Sequence, residues 1–274
     1  MMLTFLDNNF LSLDLTKSWQ IASPSLKGLP QPSGPPAVSL GTLWGSTSSL
    51  WLYGGQYSDK PKAQPGPNSV WEYNIGSSQW IEHKSPKSSA GDGTDGGQDV
   101  QRAAEGAGFS VASLGRGWYF GGHLDDYTTE GWSNQIARVY LKSLLEFTFP
   151  GYTNNAVESL KGDKKAGQDG VYRNITDAGV QNSGSFPQRA DGVLTYVPGF
   201  GDEGMLIGLT GGDNDTFVSK IDDTDWRFAD SSQTQMNVID VYDIAKSQWY
   251  KQSTSGKIPP YRVNPCATVA AAAE

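Results

Sequence analysis

Three times in this chain a run of aromatic and aliphatic residues stops at two adjacent glycines. The runs are LWLYGG, ending at Gly54 and Gly55, GWYFGG, ending at Gly121 and Gly122, and MLIGLTGG, ending at Gly211 and Gly212. Before the first two pairs the large side chains alternate (Trp51 and Tyr53, Trp118 and Phe120), which is the period of a β-strand. Two glycines at a strand end allow positive φ and leave room for another backbone to approach. Recurrence at three places restricts the chain to folds in which one strand-bearing unit is repeated and stacked on its neighbours.

A second element follows the pairs. SVWEYNIGSSQW, residues 69–80, matches NVIDVYDIAKSQW, residues 237–249. Each reads as a hairpin: a strand closed by Tyr and a polar residue (Tyr73 and Asn74; Tyr242 and Asp243), a short turn, and a Trp on the next strand (Trp80; Trp249). LSLDLTKSW, residues 11–19, reads as a degenerate copy, and Tyr172 in VYRNIT stands where another Trp is expected. A third element is an arginine ahead of the next unit: Arg102, Arg189 and Arg262. Because the order of the elements repeats as well as their composition, a glycine-rich β-sandwich is the poorer reading.

Composition agrees. Nine Trp, twelve Tyr and ten Phe accompany thirty-three Gly, with only four Met, as short strands closed by tight turns require. A net charge of -8 argues against a nucleic-acid partner, because the densest basic group is only Lys161, Lys164 and Lys165. No apolar run reaches the roughly 18 residues of a membrane-spanning helix, so no membrane contact by this segment itself is expected. The opening MMLTFLDNNF does not read as a signal peptide. Cys266 is the single cysteine and cannot form an internal disulfide.

Glycine pair, Tyr with Asn or Asp, Trp and preceding Arg together resemble the kelch repeat, one four-stranded β-propeller blade of about 50 residues. Stretches such as VPGFGDEGMLIGLTGG and IDVYDIAKSQWYKQ resemble the kelch domains of filamentous-fungal cell-surface proteins, and the resemblance covers nearly the whole chain. It implies an all-β fold: a kelch-type β-propeller of four-stranded blades, one domain over residues 1–274, incomplete at both ends. With strands lettered a to d from the axis outward, residues 11–20 would supply c and d of one blade. Residues 37–83, 105–176 and 186–252 would make three more, and 262–274 would begin the inner strand of a fifth. An extracellular or cell-surface setting follows from the resemblance, with any signal peptide or membrane anchor outside these residues.

In such blades the b–c and d–a loops leave on one face, and here they are the long ones. Long loops on a rigid scaffold are where binding surfaces are built. The b–c loops carry His123, Asp125 and Tyr127 after the second pair and Asp213, Asp215 and Trp226 after the third. Aromatics beside carboxylates suit a carbohydrate or a cationic protein partner. The loop acids lack the spacing of an EF-hand, and no metal or cofactor is expected. The arginines read either as braces to the neighbouring blade or as a rim for an acidic ligand, bracing being the better reading.

Catalytic signatures are sparse. His83 and His123 are the two histidines, no H-E-x-x-H or G-x-S-x-G occurs, and Gly91, Gly93 and Gly96 spell G-x-G-x-x-G only within an acidic loop. Galactose oxidases, which share the kelch propeller, need a copper site that these histidines and Cys266 do not suggest. Asn174 and Asn214 head possible N-glycosylation sequons. The expectation is a non-catalytic recognition scaffold, with an intracellular kelch adaptor second and a carbohydrate-active propeller third.

Overall fold

A computed structural model describes residues 8–89, 96–133, 135–176, 189–212, 236–260 and 263–270. Seventeen strands run, in chain order, β1 Leu11–Leu13, β2 Leu26–Gly28, β3 Ser39–Gly45, β4 Ser49–Gln56, β5 Ser69–Asn74, β6 Gln79–Lys84, β7 Ser88–Ser89, β8 Ala107–Val111 and β9 Arg116–Phe120. They continue with β10 His123–Leu124, β11 Val139–Tyr140, β12 Leu144–Thr148, β13 Val171–Ile175, β14 Val193–Val197, β15 Met205–Leu209, β16 Val238–Asp243 and β17 Gln248–Ser253. A single 3-10 turn, Glu158–Leu160, is the one helical element among the described residues.

Three antiparallel four-stranded meanders carry the fold: β3-β4-β5-β6, β8-β9-β12-β13 and β14-β15-β16-β17. The expected all-β, four-stranded blades are present. A two-residue parallel strand, β7, covers the outer edge of the second blade by pairing with β13, which blunts an otherwise unpaired edge. Inner strands stand side by side, β3 against β8 and β8 against β14.

Two aromatic cores fill the spaces between blades. The first joins Trp44, Trp51 and Tyr53 of one blade to Tyr119, Leu145, Phe147 and Tyr172 of the next. The second joins Trp118, Phe120 and Leu144 to Leu194, Leu206, Tyr242 and Trp249. The second blade thus buries both faces of its sheet, and the first and third bury one each against it. The hairpin pairs sit at one register throughout: Tyr73 opposite Trp80, Phe147 opposite Tyr172, and Tyr242 opposite Trp249. Their rings lie 5.3, 4.5 and 5.1 Å apart, so Tyr172 does take the place of a Trp.

Three expectations need correction. Residues 11–20 do not form the c and d strands of a blade: β1 pairs instead with β2, Leu13 opposite Leu26, in a separate two-stranded sheet. Asp14 accepts from the Thr16 backbone N–H at 3.0 Å and its hydroxyl at 2.6 Å, which turns the chain directly after β1 and leaves Trp19 outside any strand. The N-terminal segment packs on the first blade through Phe10, whose ring meets Tyr73 at 4.7 Å and Trp80 at 5.5 Å.

Residues 263–270 form no strand and pair with no sheet among the described residues. They nevertheless follow the course of an inner strand. The Asn264 N–H donates to the Asp191 carbonyl, as Asp191 donates to Glu105 and Glu105 to Leu40. All four residues have positive φ, between 49° and 61°. This rim is a chain of one-way hydrogen bonds passing from blade to blade.

The third glycine pair is displaced by one residue. Leu206 pairs with Tyr242 as Leu50 pairs with Tyr73 and Gly117 with Phe147. Thr210 and Gly211 therefore occupy the places of Gly54–Gly55 and Gly121–Gly122, and Thr210 adopts φ 60. The reason lies at the seams. A Cβ at Gly54 would come 2.4 Å from the Ala103 carbonyl oxygen, and one at Gly121 only 2.0 Å from that of Arg189. Gly55 and Gly122 each donate to those same carbonyls, so glycine is required wherever the next blade's backbone is drawn in.

Candidate functional site

The b–c and d–a connections leave on one face and those of the first two blades are fastened together there, while the one long c–d connection, 149–170, leaves on the other face. The Tyr57 N–H of the first blade donates to the Tyr127 carbonyl of the second at 2.9 Å. Lys62 pairs with Asp126 and lies 5.0 Å from the Tyr127 ring centroid. Arg102 donates to the carbonyls of Gly66 at 3.0 Å and Pro67 at 2.9 Å and stacks over Tyr57, so it braces the preceding blade's loop. Arg189 instead pairs with Asp240 inside its own blade and lies over Phe120 of the preceding one. Arg262 lies outside the described residues.

At the centre of this face the second b–c connection folds back as the two-stranded sheet β10–β11, His123 opposite Tyr140 and Leu124 opposite Val139. Asp125 sets the turn that follows: one oxygen accepts from the Tyr127 N–H at 2.9 Å, and its backbone N–H donates to the Thr128 hydroxyl at 2.9 Å. These bonds leave its second oxygen facing inward. His123 is fully enclosed, with Nδ1 3.0 Å from Glu105 Oε2 and Nε2 3.2 Å from Asp125 Oδ2. Arg138 meets the same two oxygens, Glu105 Oε2 at 3.3 Å and Asp125 Oδ2 at 3.0 Å. Two carboxylates and two cations thus alternate in a closed ring of charge.

The environment supports the charged form of each member. Burial would lower the His123 pKa, yet its contacts with Asp125 and Glu105 outweigh that and raise it above the ordinary histidine value. Burial likewise opposes ionisation of Glu105 and Asp125, and in both cases His123 and Arg138 prevail and hold the carboxyl low. Asp191, the next rim acid, is the exception. Burial first, and then the neighbouring Glu105 charge, push its pKa up to about 6, although His123 and Arg138 pull it down. Its carboxyl is the one member of the neighbourhood with no cation to itself among the described residues.

The site residues read from sequence are therefore organised differently than expected. His123 and Asp125 come together, but they face each other and Arg138 rather than solvent. Tyr127 is half-buried, its carbonyl bonded to Tyr57 and its ring under Lys62. Asp213, Asn214, Asp215 and Trp226 lie outside the described residues. Asn174 sits in β13, half-buried and lining a small cavity with Tyr53, Ser88 and Leu145; a glycan needs an exposed position, which this is not. Glu105, Arg138, Tyr140 and Asp191 are not singled out by the sequence reading. For two of them a signal is present: Arg102 and Arg189 are followed within three residues by an acid and then a glycine, Glu105-Gly106 and Asp191-Gly192.

Among the described residues no group of three or more His, Cys, Asp or Glu is arranged to hold a metal ion, and no helix is long and apolar enough to cross a membrane. His83, the other histidine, lies between Asp169 at 2.8 Å and Glu72 at 3.2 Å.

No protein-family model matches the chain. A kelch repeat-containing protein of Arthroderma benhamiae is 58% identical over 270 residues, covering 98% of this chain. The chain spans 38% of that relative's length. Among solved structures, that of YjhT aligns over 93% of this chain and 62% of its own, with 11% identity and a TM-score of 0.48. The sequence likeness to the Arthroderma kelch repeat-containing protein runs through all three blades and both seams.

Proposed function

We propose that this chain is a non-catalytic recognition scaffold that takes a protein or carbohydrate ligand on its long-loop face. The observation that carries the reading is the asymmetry of the connections. The a–b turns at 46–48 and 112–115 and the c–d turns at 75–78 and 244–247 are short, the c–d connection 149–170 of the second blade being the exception, whereas the described b–c and d–a connections are long and bonded to one another across the first blade boundary. Long loops bonded to one another on a rigid scaffold are a usual place for a binding surface. Both histidines are buried, His123 completely, and each is paired with carboxylates of this chain. An extracellular or cell-surface setting in a fungus is part of the proposal; the fungal source of the 58% identical relative supports the organism group.

The test is capture by the immobilised protein from a panel of fungal cell-wall glycans and secreted fungal proteins. Glu130→Lys and Ile136→Asp alter exposed positions on the long-loop face; Lys246→Glu alters the opposite face. A captured ligand should bind at least about tenfold more weakly to either loop variant, the loss of one good contact, and equally well to Lys246→Glu. Binding that ignores both loop variants would place the recognition surface elsewhere.

A further inference from the structure

The ring of Glu105, His123, Asp125 and Arg138 joins two separate pieces of backbone. Glu105 belongs to the inner rim, where its N–H donates to the Leu40 carbonyl and its carbonyl accepts from Asp191. Asp125, Arg138 and Tyr140 belong to the hairpin built from β10 and β11. His123 stands at the start of β10, with Nδ1 3.0 Å from Glu105 Oε2 across the junction and Nε2 3.2 Å from Asp125 Oδ2 within the hairpin. The junction to the rim itself is short, the Ala104–His123 bridge and a bond from the Leu141 N–H to the Gly122 carbonyl. Elsewhere the hairpin is held by Leu124 in the first core and by the Tyr57–Tyr127 bond, so the charge ring is the polar part of its attachment to the rim.

We propose that this ring is a proton-operated latch: protonated His123 fastens the β10–β11 hairpin to the inner rim, and loss of that proton releases it.

The balance of charge explains why the proton matters. With His123 charged, two cations face two carboxylates. With His123 neutral, Arg138 alone faces Glu105 and Asp125, and the third carboxyl, Asp191, stands beside Glu105 with no cation of its own among the described residues. Tyr140, the remaining titratable group packed on the imidazole at 6.1 Å between ring centroids, stays neutral throughout, since burial raises its pKa. One imidazole nitrogen must also lose its N–H and become an acceptor facing a carboxylate acceptor, which is repulsive. A folded-state pKa above the ordinary 6.5 gives the sign: the latch is at full strength below about 6.5 and is lost as pH rises through the raised folded value. Ligand consequences rest on the long-loop face being the recognition surface; the latch itself is measured without any ligand.

Amide hydrogen exchange of the whole 274-residue protein, corrected for intrinsic rates, tests it. Between about pH 5.5 and about pH 9, peptides covering 123–133 and 135–141 should lose about tenfold in protection, the effect of one pKa unit of coupling. Peptides from β8 and β9 should keep theirs. His123→Gln, neutral at every pH, should show the weaker protection throughout and no pH step. A hairpin equally protected at both pH values, or a step that survives in His123→Gln, overturns the proposal. Should that variant not fold, NMR titration of the two wild-type imidazoles decides: a His123 pKa above 6.5 supports the latch, and one at or below it overturns it.

Discussion

At Gly121 the requirement for glycine has two independent parts. Its φ of 67° is one that side chains disfavour, and a Cβ there would sit 2.0 Å from the Arg189 carbonyl oxygen. Because the obstacle is backbone, nothing nearby yields cheaply. Gly121→Ala is expected to cost about 3 kcal/mol, lowering Tm by about 5–10 °C in thermal unfolding. Thr210 holds the equivalent position in the third blade with a β-branched side chain already in place. Thr210→Gly should therefore leave stability equal or higher, within about 1 kcal/mol, and a loss as large as that of Gly121→Ala would refute the shifted alignment. The sequence made this misreading natural. Two glycines at 211 and 212 look like the other pairs, and only the register of Leu206 on Tyr242 reveals that Thr210 has entered the seam. The charged ring was invisible for another reason: Glu105 and Arg138 are far apart in sequence, and only the fold-back of β11 on β10 brings them to the same two oxygens.

Within a blade, the middle of the c strand carries a device of its own. Glu72 lies opposite Trp51, and Glu146 opposite Trp118, each Trp three residues before its glycine pair. In the third blade the corresponding residues are Val241 and Ile207, which need no counter-ion. Glu146 is fully buried; it accepts from Trp118 Nε1 at 3.0 Å and Asn154 Nδ2 at 2.8 Å, and pairs with Arg173 at 2.9 Å. Burial opposes its charge, but Arg173 and Arg116 hold the carboxyl ionised. Removing one partner leaves the other charged and dry. Glu146→Ala should cost about 3–5 kcal/mol in urea unfolding, while the double change Glu146→Leu with Arg173→Met should recover most of it. If the double variant is no better than the single, the cost lies in packing rather than in the orphaned arginine. Most strands were legible here, because alternation and turn residues mark them locally. The hairpin proposed at 11–19 was not, since the Asp14 side chain and not the hydrophobic pattern decides where that strand turns.

Across the whole molecule, stability depends on acids placed where blades meet. Asp191 has a folded-state pKa of about 6 against an ordinary 3.8, so the folded chain binds that proton more tightly than the unfolded one. Its contribution is complete below about 3.8 and is lost as pH climbs through about 6. Glu105 and Asp125 act in the opposite sense: their lowered values stabilise above the ordinary carboxylate range and that support is lost in acid. Asp191→Asn removes the titration while keeping a residue that tolerates its φ of 55°. The variant should gain on the wild type in Tm between about pH 4 and pH 6. A constant difference across that window would mean that the Asp191 carboxyl is not the group responsible.

The rim also has a direction. Each of Glu105, Asp191 and Asn264 donates its N–H to the residue that precedes it on the ring, so the acceptor always lies earlier in the chain than the donor. During synthesis the earlier residue leaves the ribosome first. A nascent second blade thus finds the carbonyl of Leu40 already waiting, and the third finds that of Glu105. The order of translation and the order of fastening coincide, and no finished blade must hold its rim position open for sequence still to be made.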